Sequence, residues 1–447
     1  MSSHLIKNVT IVNEGKIFIG DIRIKNGLID EVGTLEASAT DVLIDGTGKY
    51  LLPGVIDGQV HFREPGLTHK ADLYTESKAA VAGGVTSFID MPNTLPNVLN
   101  MDTLNEKYQI AAEKSLANFG FFLGVNGDNL DEVIKLDTSR LLAVSDDGLY
   151  FTKKGNLLAD NPDTLEKLFA HCKAFIAIHA EKEQIIEANE HLFKEKYGEE
   201  VPVKYHPVIR SVDACYQASK QAIELANKHN ARLHILHLTT EAETHLFRND
   251  IPLKEKKITT EVSVQHLWFS DKDYERLGTL IKWNPAIKSE EDKEGLLQAL
   301  IDDRIDIITT DHAPHAIEEK QKPYFQSMSG APMIQHSLNV MLEFFRQGKI
   351  SLEKIVEKMC HNPATLYGIE RRGFIREGYH ADLVLVDMNA DWKVNKENIL
   401  YKCGWSPLEG TTFHSKVTHT FVNGHLVFEN GAFHEEKRGM PLHRMSH

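Results

Sequence analysis

Five polar side chains stand immediately after short apolar runs. His61 follows the run from Tyr50 to Ile56, and Asp147 follows Leu141–Val144. His179 follows Phe175–Ile178, His237 follows Leu233–Leu236, and Asp311 follows Asp306–Thr310. Any one alone reads as a hydrogen-bonded residue at a strand end. Five at the same end of successive strands read differently. A parallel barrel brings those ends to one mouth, where clustered imidazoles and carboxylates need a cation between them. Nitrogen and carboxylate donors favour Zn²⁺. Gln59 lies two residues before His61, so both face one way on a strand, and Arg63 continues the same parity.

The elements that must position these groups follow from pattern. Leu5–Asn13, Ile17–Ile24 and Leu28–Val32 alternate apolar with polar residues and are broken at Asn13-Glu14-Gly15 and Lys25-Asn26-Gly27. Ala381–Asp387 and Val417–Phe428, the latter with an Asn423-Gly424 turn, repeat the pattern near the other end. Neither set buries both faces alone, so the two ends are expected to close over each other as a small discontinuous β-sandwich.

Between them, apolar strands alternate with amphipathic helices such as 75–82 and 214–229. Further strand candidates are 86–91, 118–123, 258–262 and 281–283, which makes nine in all, one more than a barrel needs. The expected fold is α/β, a (β/α)8 TIM-like barrel at 53–365 with sandwich parts at 1–52 and 366–447. A doubly wound sheet is the runner-up, but no glycine-rich phosphate loop follows any strand. Residues 191–203 read as an exposed charged insertion and the tail from His434, through His443 and His447, as a loosely held terminus.

The 447 residues suit one large domain with an appendage, and a net charge of −14 argues against nucleic acid and anionic membranes as partners. Cys172, Cys215, Cys360 and Cys403 are widely spaced, the pattern of reduced packing thiols. The first residues carry no signal-peptide pattern, and no apolar run approaches the roughly 20 residues of a membrane span. A cytoplasmic protein acting on a small molecule is expected.

The stretch Asp57-Gly58-Gln59-Val60-His61-Phe62-Arg63-Glu64-Pro65-Gly66 resembles the D-x-H-x-H-x-R-x-P-G signature of dihydroorotases, within the cyclic amidohydrolase superfamily. Gln59 stands where that family has its first histidine. The resemblance implies a barrel with two zinc ions about 3.5 Å apart. His61 and Asp311 would bind the first, with Gln59 as a weak replacement ligand, and His179 and His237 the second. Asp147, in Asp146-Asp147-Gly148, matches the bridging aspartate of one branch, so Lys153 and Lys154 read as solvated loop lysines. One or two zinc ions per chain are expected, the second held more firmly. Arg63, Asn93 (in Met91-Pro92-Asn93-Thr94), Asn284, His315 and Gly330 match substrate-binding positions, and Asp311 the proton carrier.

Two motifs depart further from the family. Gln265-His266 stands where the family often has Pro-His-His, and Ala286-Ile287-Lys288 follows Asn284-Pro285, so that Lys288 replaces an arginine as a point charge. The loop 318–332 is long enough for a lid. The implied activity is reversible closure of N-carbamoyl-L-aspartate to (S)-dihydroorotate in pyrimidine biosynthesis, in a family that often forms homodimers. The alternatives are a sister cyclic amidase of allantoinase or dihydropyrimidinase type, and a silent homologue that scaffolds a partner.

Overall fold

Both turns of the N-terminal meander need positive φ at two successive residues. Glu14-Gly15 (49° and 71°) and Asn26-Gly27 (54° and 84°) supply it, as Asn423-Gly424 (51° and 73°) does in the C-terminal hairpin. The computed structural model describes residues 3–138, 141–149 and 157–445. Lys153, Lys154 and His447 lie outside them.

Strands Ser3–Asn13, Lys16–Lys25 and Leu28–Gly33 pair antiparallel, and Lys49–Pro53 runs parallel to the first. Leu383–Asp387 pairs antiparallel with Lys49–Pro53, then Lys416–Val422 and His425–Glu429 follow. The two ends of the chain thus share one nine-stranded sheet. Ile6, Ile11, Ile22, Leu51, Leu383, Leu385 and Phe421 bury its face.

The parallel strands run, in order, Val55–Val60, Val85–Asp90, Asn118–Phe121 continued by Leu123–Gly124, Val144–Ser145, Ile176–Ile178, Leu233–Ile235, Ile258–Ser263 and Ile307–Thr309. The last returns to the first: His61 N–H donates to His312 O at 2.8 Å, and Val60 bridges His312. This is an eight-stranded α/β barrel. Ile56, Phe122, Phe175, Ile307 and Tyr367 belong to one buried cluster, and a larger apolar cluster unites strands with helices.

Two expectations change and two gain detail. The surplus strand is 281–283: Ile281 ends a 3-10 turn, and Lys282 bonds to Thr279 O and Gly330 N, not to a strand. The fourth strand begins only at Val144, because Leu141 and Leu142 pack into the barrel without ladder partners. The tail is anchored. Phe119 N–H donates to Met440 O and accepts from Leu442 N–H at its own carbonyl, and Leu442 is buried. The segment 191–203, expected as an exposed charged insertion, is exposed or half-exposed except at Val201, and its first part completes the helix Glu183–Tyr197.

Candidate metal centre

Each site residue is aimed by the turn that follows its strand. Arg63 (φ 68°), His237 (36°) and Asp311 (43°) occupy the left-handed region, which side chains other than glycine rarely adopt and which concentrates at functional sites. Gly148 (φ 71°) is required as well, since a Cβ there would meet Asn93 Nδ2 at 2.1 Å. A Cβ on Gly330 (φ 119°) would meet Ala313 O at 2.6 Å.

Asp147 sits at the centre. Its Oδ2 is 3.3 Å from His61 Nε2, and its Oδ1 is 3.4 Å from His179 Nδ1 and 3.7 Å from His237 Nε2. His61 Nε2 is also 3.1 Å from Asp311 Oδ1, and His179 Nδ1 is 3.1 Å from His237 Nε2. Two buried triads therefore share one carboxylate: His61, Asp147, Asp311 and Asp147, His179, His237. Donors about 2.0–2.1 Å from a tetrahedral ion stand roughly 3.3 Å from one another. These atoms have that spacing.

The ring nitrogens facing away are occupied, which fixes the facing ones. His61 Nδ1–H donates to Asn93 Oδ1 at 2.8 Å, and His179 Nε2–H to Glu181 Oε2 at 2.7 Å. Glu181 is in turn paired with Arg210. Burial opposes charge on His61, but Asp147 and Asp311 outweigh it and push its pKa up to about 9. His179 is likewise pushed up to about 9 against burial, by Asp147 and Glu181. Burial pushes Asp147 up, yet His179, His237 and His61 hold it well below the usual carboxylate range. The pocket thus draws positive charge to its centre, as a metal site does.

Gln59 is wholly buried. Its Nε2 donates to Asp147 Oδ2 at 3.2 Å, and its Oε1 has no partner. Turning the amide would place Oε1 against the carboxylate, an arrangement that stands only with a cation between the two oxygens.

The cleft above the triads is lined by His61, Arg63, Asn93, Asp147, Gly148, Trp283, Asn284, Asp311, Ala313, Ser329 and Gly330. His315 adjoins it. Burial, then the charge of Arg63, holds His315 well below its ordinary pKa, so the ring is neutral. Lys70 donates to Nδ1 at 3.0 Å, and Nε2–H donates to Ser329 O at 3.0 Å. Arg63 Nη2 lies 3.1 Å from that same Nε2, so two donors face each other. Arg63 is buried, gives its Nε–H to Pro314 O at 3.2 Å, and has no paired carboxylate among the described residues. Asn284 Oδ1 is buried without a partner among the described residues.

Lys288 does not reach the cleft. It is buried and donates to Ala286 O at 3.1 Å. Gln265 is also buried, with both amide atoms unpartnered. His266 meets Pro285 O at 3.2 Å and is held down to about 3 by burial and then by His237.

Sequence reasoning missed the residues that support the two triads. Asp57 accepts from Thr310 N–H (3.1 Å) and Thr310 Oγ1–H (2.6 Å), tying the middle of the first strand to the end of the eighth next to Asp311. Asp146 accepts from His179 N–H at 3.0 Å and Leu158 N–H at 2.7 Å. Glu181 was within reach of the parity argument, two residues after His179. Arg210 carries no local signal.

The Amidohydrolase family model matches residues 50–427. A dihydroorotase of Methanosarcina acetivorans is 33% identical, over 91% of this chain and 88% of its own length. A dihydroorotase of Pyrococcus abyssi is 32% identical over 95% of both chains. Among solved structures, the L-hydantoinase (dihydropyrimidinase) of Arthrobacter aurescens superposes with a TM-score of 0.91 at 27% identity, covering 99% of this chain and 100% of that one. With the barrel, the shared aspartate and the match over most of the sequence all in agreement, this chain is a member of the amidohydrolase family.

Proposed function

We propose that this amidohydrolase is a dihydroorotase, interconverting N-carbamoyl-L-aspartate and (S)-dihydroorotate in pyrimidine biosynthesis. The single observation that carries the substrate is Arg63. It is a buried guanidinium without a carboxylate partner among the described residues, and its Nη2 is crowded against His315 Nε2 at the cleft wall, 3.1 Å away. A substrate carboxylate seated between Arg63 and His315 relieves that contact and gives the fork a bidentate partner. A neutral hydantoin or dihydropyrimidine ring offers no such anion. The dihydroorotase names of the sequence relatives support the same reading.

The residues fit one or two zinc ions. His179, His237 and Asp147 would hold the firmer one, and His61, Asp311, Asp147 and Gln59 the weaker. Bound there, zinc supplies a Lewis acid and a water ionised near neutral pH. Asp311 takes the proton of the attacking water on its carboxylate and returns it to the leaving ring nitrogen. Arg63, His315 and Asn93 hold the substrate carboxylate, while Asn284 and the backbone at Gly330 face the ring. Ring closure consumes a carboxylate and a proton, so it gains at lower pH and hydrolysis at higher pH. A cytoplasmic homodimer belongs to this reading, on the family resemblance. No helix among the described residues is long and apolar enough to cross a membrane.

The structural likeness to L-hydantoinase favours one second reading, a sister cyclic amidase. Hydrolysis of dihydroorotate, dihydrouracil, hydantoin and allantoin, each with and without added zinc, separates them. Dihydroorotate is expected to be turned over far faster than the others, and Asp311→Asn to lose about 10²–10⁴-fold. Preference for a neutral ring rules out the dihydroorotase reading; no turnover of any substrate with zinc rules out both.

A further inference from the structure

Beneath the barrel, at the end of the strands away from the metal centre, a cavity of about 590 Å³ is walled by eight lysine and arginine side chains and a single carboxylate, Glu255. The whole chain has 64 acidic residues against 50 basic ones, so this inversion is local. Arg232 comes just before the sixth barrel strand, Lys254 and Lys257 before the seventh, and Arg444 from the anchored tail.

Part of the charge is already neutralised. Lys256 pairs with Asp306 at 2.7 Å, Arg372 with Asp382 and Arg376 with Glu14. Arg371 lies 3.5 Å from Glu370. The other four cations have no carboxylate partner among the described residues. Arg232 has a carbonyl, Leu366 O at 3.3 Å, and the Phe175 ring 4.7 Å from its guanidinium carbon. Arg444 donates to a carbonyl, Leu141 O at 3.2 Å. Both are half-buried. Burial, then the charge of Arg444, lowers the Arg232 pKa, so the two guanidiniums work against each other. Lys254 and Lys257 are exposed beside them, and Lys257 donates to Asn230 Oδ1. Two half-buried like charges that oppose each other are unfavourable, and an anion between them relieves this.

Two planar forks beside two flexible ammonium groups match phosphate oxygens. Leu253, Ile369 and Phe374 add an apolar wall for an organic moiety. The volume lies within the ~300–1,000 Å³ of small-molecule sites. We propose that this cavity is a second binding site, for a phosphorylated organic anion carrying at least two phosphate charges, held by Arg232, Arg444, Lys254 and Lys257.

The test is calorimetry on the zinc-loaded full chain at fixed ionic strength, with inorganic phosphate, pyrophosphate and ADP as probes. Pyrophosphate and ADP are expected to bind saturably at one equivalent per chain, more tightly than phosphate. The double variant Arg444→Gln/Lys254→Gln should weaken them by about tenfold or more, each lost fork or ammonium removing a charge-assisted bond. Its dihydroorotate turnover without added anion should be unchanged. Arg232→Lys, which keeps the charge and the fold, should weaken them less. The proposal fails if neither probe saturates, if the double variant binds them as the wild type does, or if dihydroorotate displaces them. Binding of heparin with no binding of the small anions also overturns it, in favour of a macromolecular partner.

Discussion

At the scale of single residues, the question is what a glutamine does in a histidine's place. An amide oxygen is a poorer zinc donor than an imidazole nitrogen, and Gln59 turns its amide N–H toward Asp147. Each triad has three donors and shares Asp147, but beside His61 and Asp311 the further donor within reach is the amide of Gln59, where the family signature has a histidine. Dialysed protein is therefore expected to keep close to one tight zinc equivalent per chain. Gln59→His should raise affinity at the weaker position by roughly tenfold or more, a scale typical of changes around metal ligands. Elemental analysis after chelator dialysis checks it, and two tight equivalents in the unmodified protein would refute it. Arg63→Met should lower kcat/KM for dihydroorotate by the ~2–5 kcal/mol of a truncated buried charge pair. Any residual hydrolysis of dihydrouracil should change little, so the ratio of the two substrates is the measurement. Positions such as His61 and Asp311 were legible because a polar residue directly after an apolar strand is conspicuous. Asp57, Asp146 and Arg210 were not, because they act through hydrogen bonds to partners distant in sequence.

At the scale of elements, the segment 318–332 is strapped to the cleft by two buried lysine side chains. Lys320 donates to the carbonyls of Lys282, Met328 and Gly330, and Lys282 to those of Tyr324 and Ser327. Gly330 N–H closes on Lys282 O at 2.8 Å. This explains the surplus strand. The apolar run 281–283 looked like a strand, but Trp283 is buried by packing and the neighbouring backbone serves the loop. Strand ends elsewhere were legible because ladder and apolar pattern coincide. Lys320→Met frees three carbonyls at once and should raise KM for dihydroorotate more than it lowers kcat, which steady-state kinetics would read. Burial, then Arg210, pushes Lys282 down to about 7 from an ordinary 10.5. Below about pH 7 both native and unfolded chains carry that proton, and the burial penalty is full. Between there and about 10.5 the unfolded chain holds the proton and the native chain does not, so this group adds stability as pH rises, by up to ~1.4 kcal/mol per unit. Urea midpoints from pH 7 to 9.5 should show that slope, and Lys282→Met should remove its share.

At the scale of the whole molecule, pairing of the two chain ends was legible because neither set of strands could bury both its faces. The anchoring of the tail was not, since Pro441-Leu442 is too short a signal. What joins the sheet to the barrel is a polar knot around Asp382. Its carboxylate pairs with Arg372 and accepts from Asn118 Nδ2 (3.1 Å) on the third barrel strand and from Asn423 N–H (2.7 Å) in the C-terminal hairpin. Its carbonyl takes Gly54 N–H at 2.8 Å, where the chain leaves the sheet for the first barrel strand. Both partners of the ion pair are buried. Removing one side of such a pair leaves an uncompensated charge and costs about 3–5 kcal/mol, whereas replacing both with apolar groups costs far less. Arg372→Met alone should lower the unfolding free energy read from urea denaturation by that amount and separate sheet unfolding from barrel unfolding. Arg372→Met/Asp382→Leu should recover only part, because Asn118, Asn423 and their hairpin lose their acceptor in the double variant. Near-complete recovery would mean that the ion pair alone joins the two units. No loss in the single variant would mean that the apolar interface holds them without it.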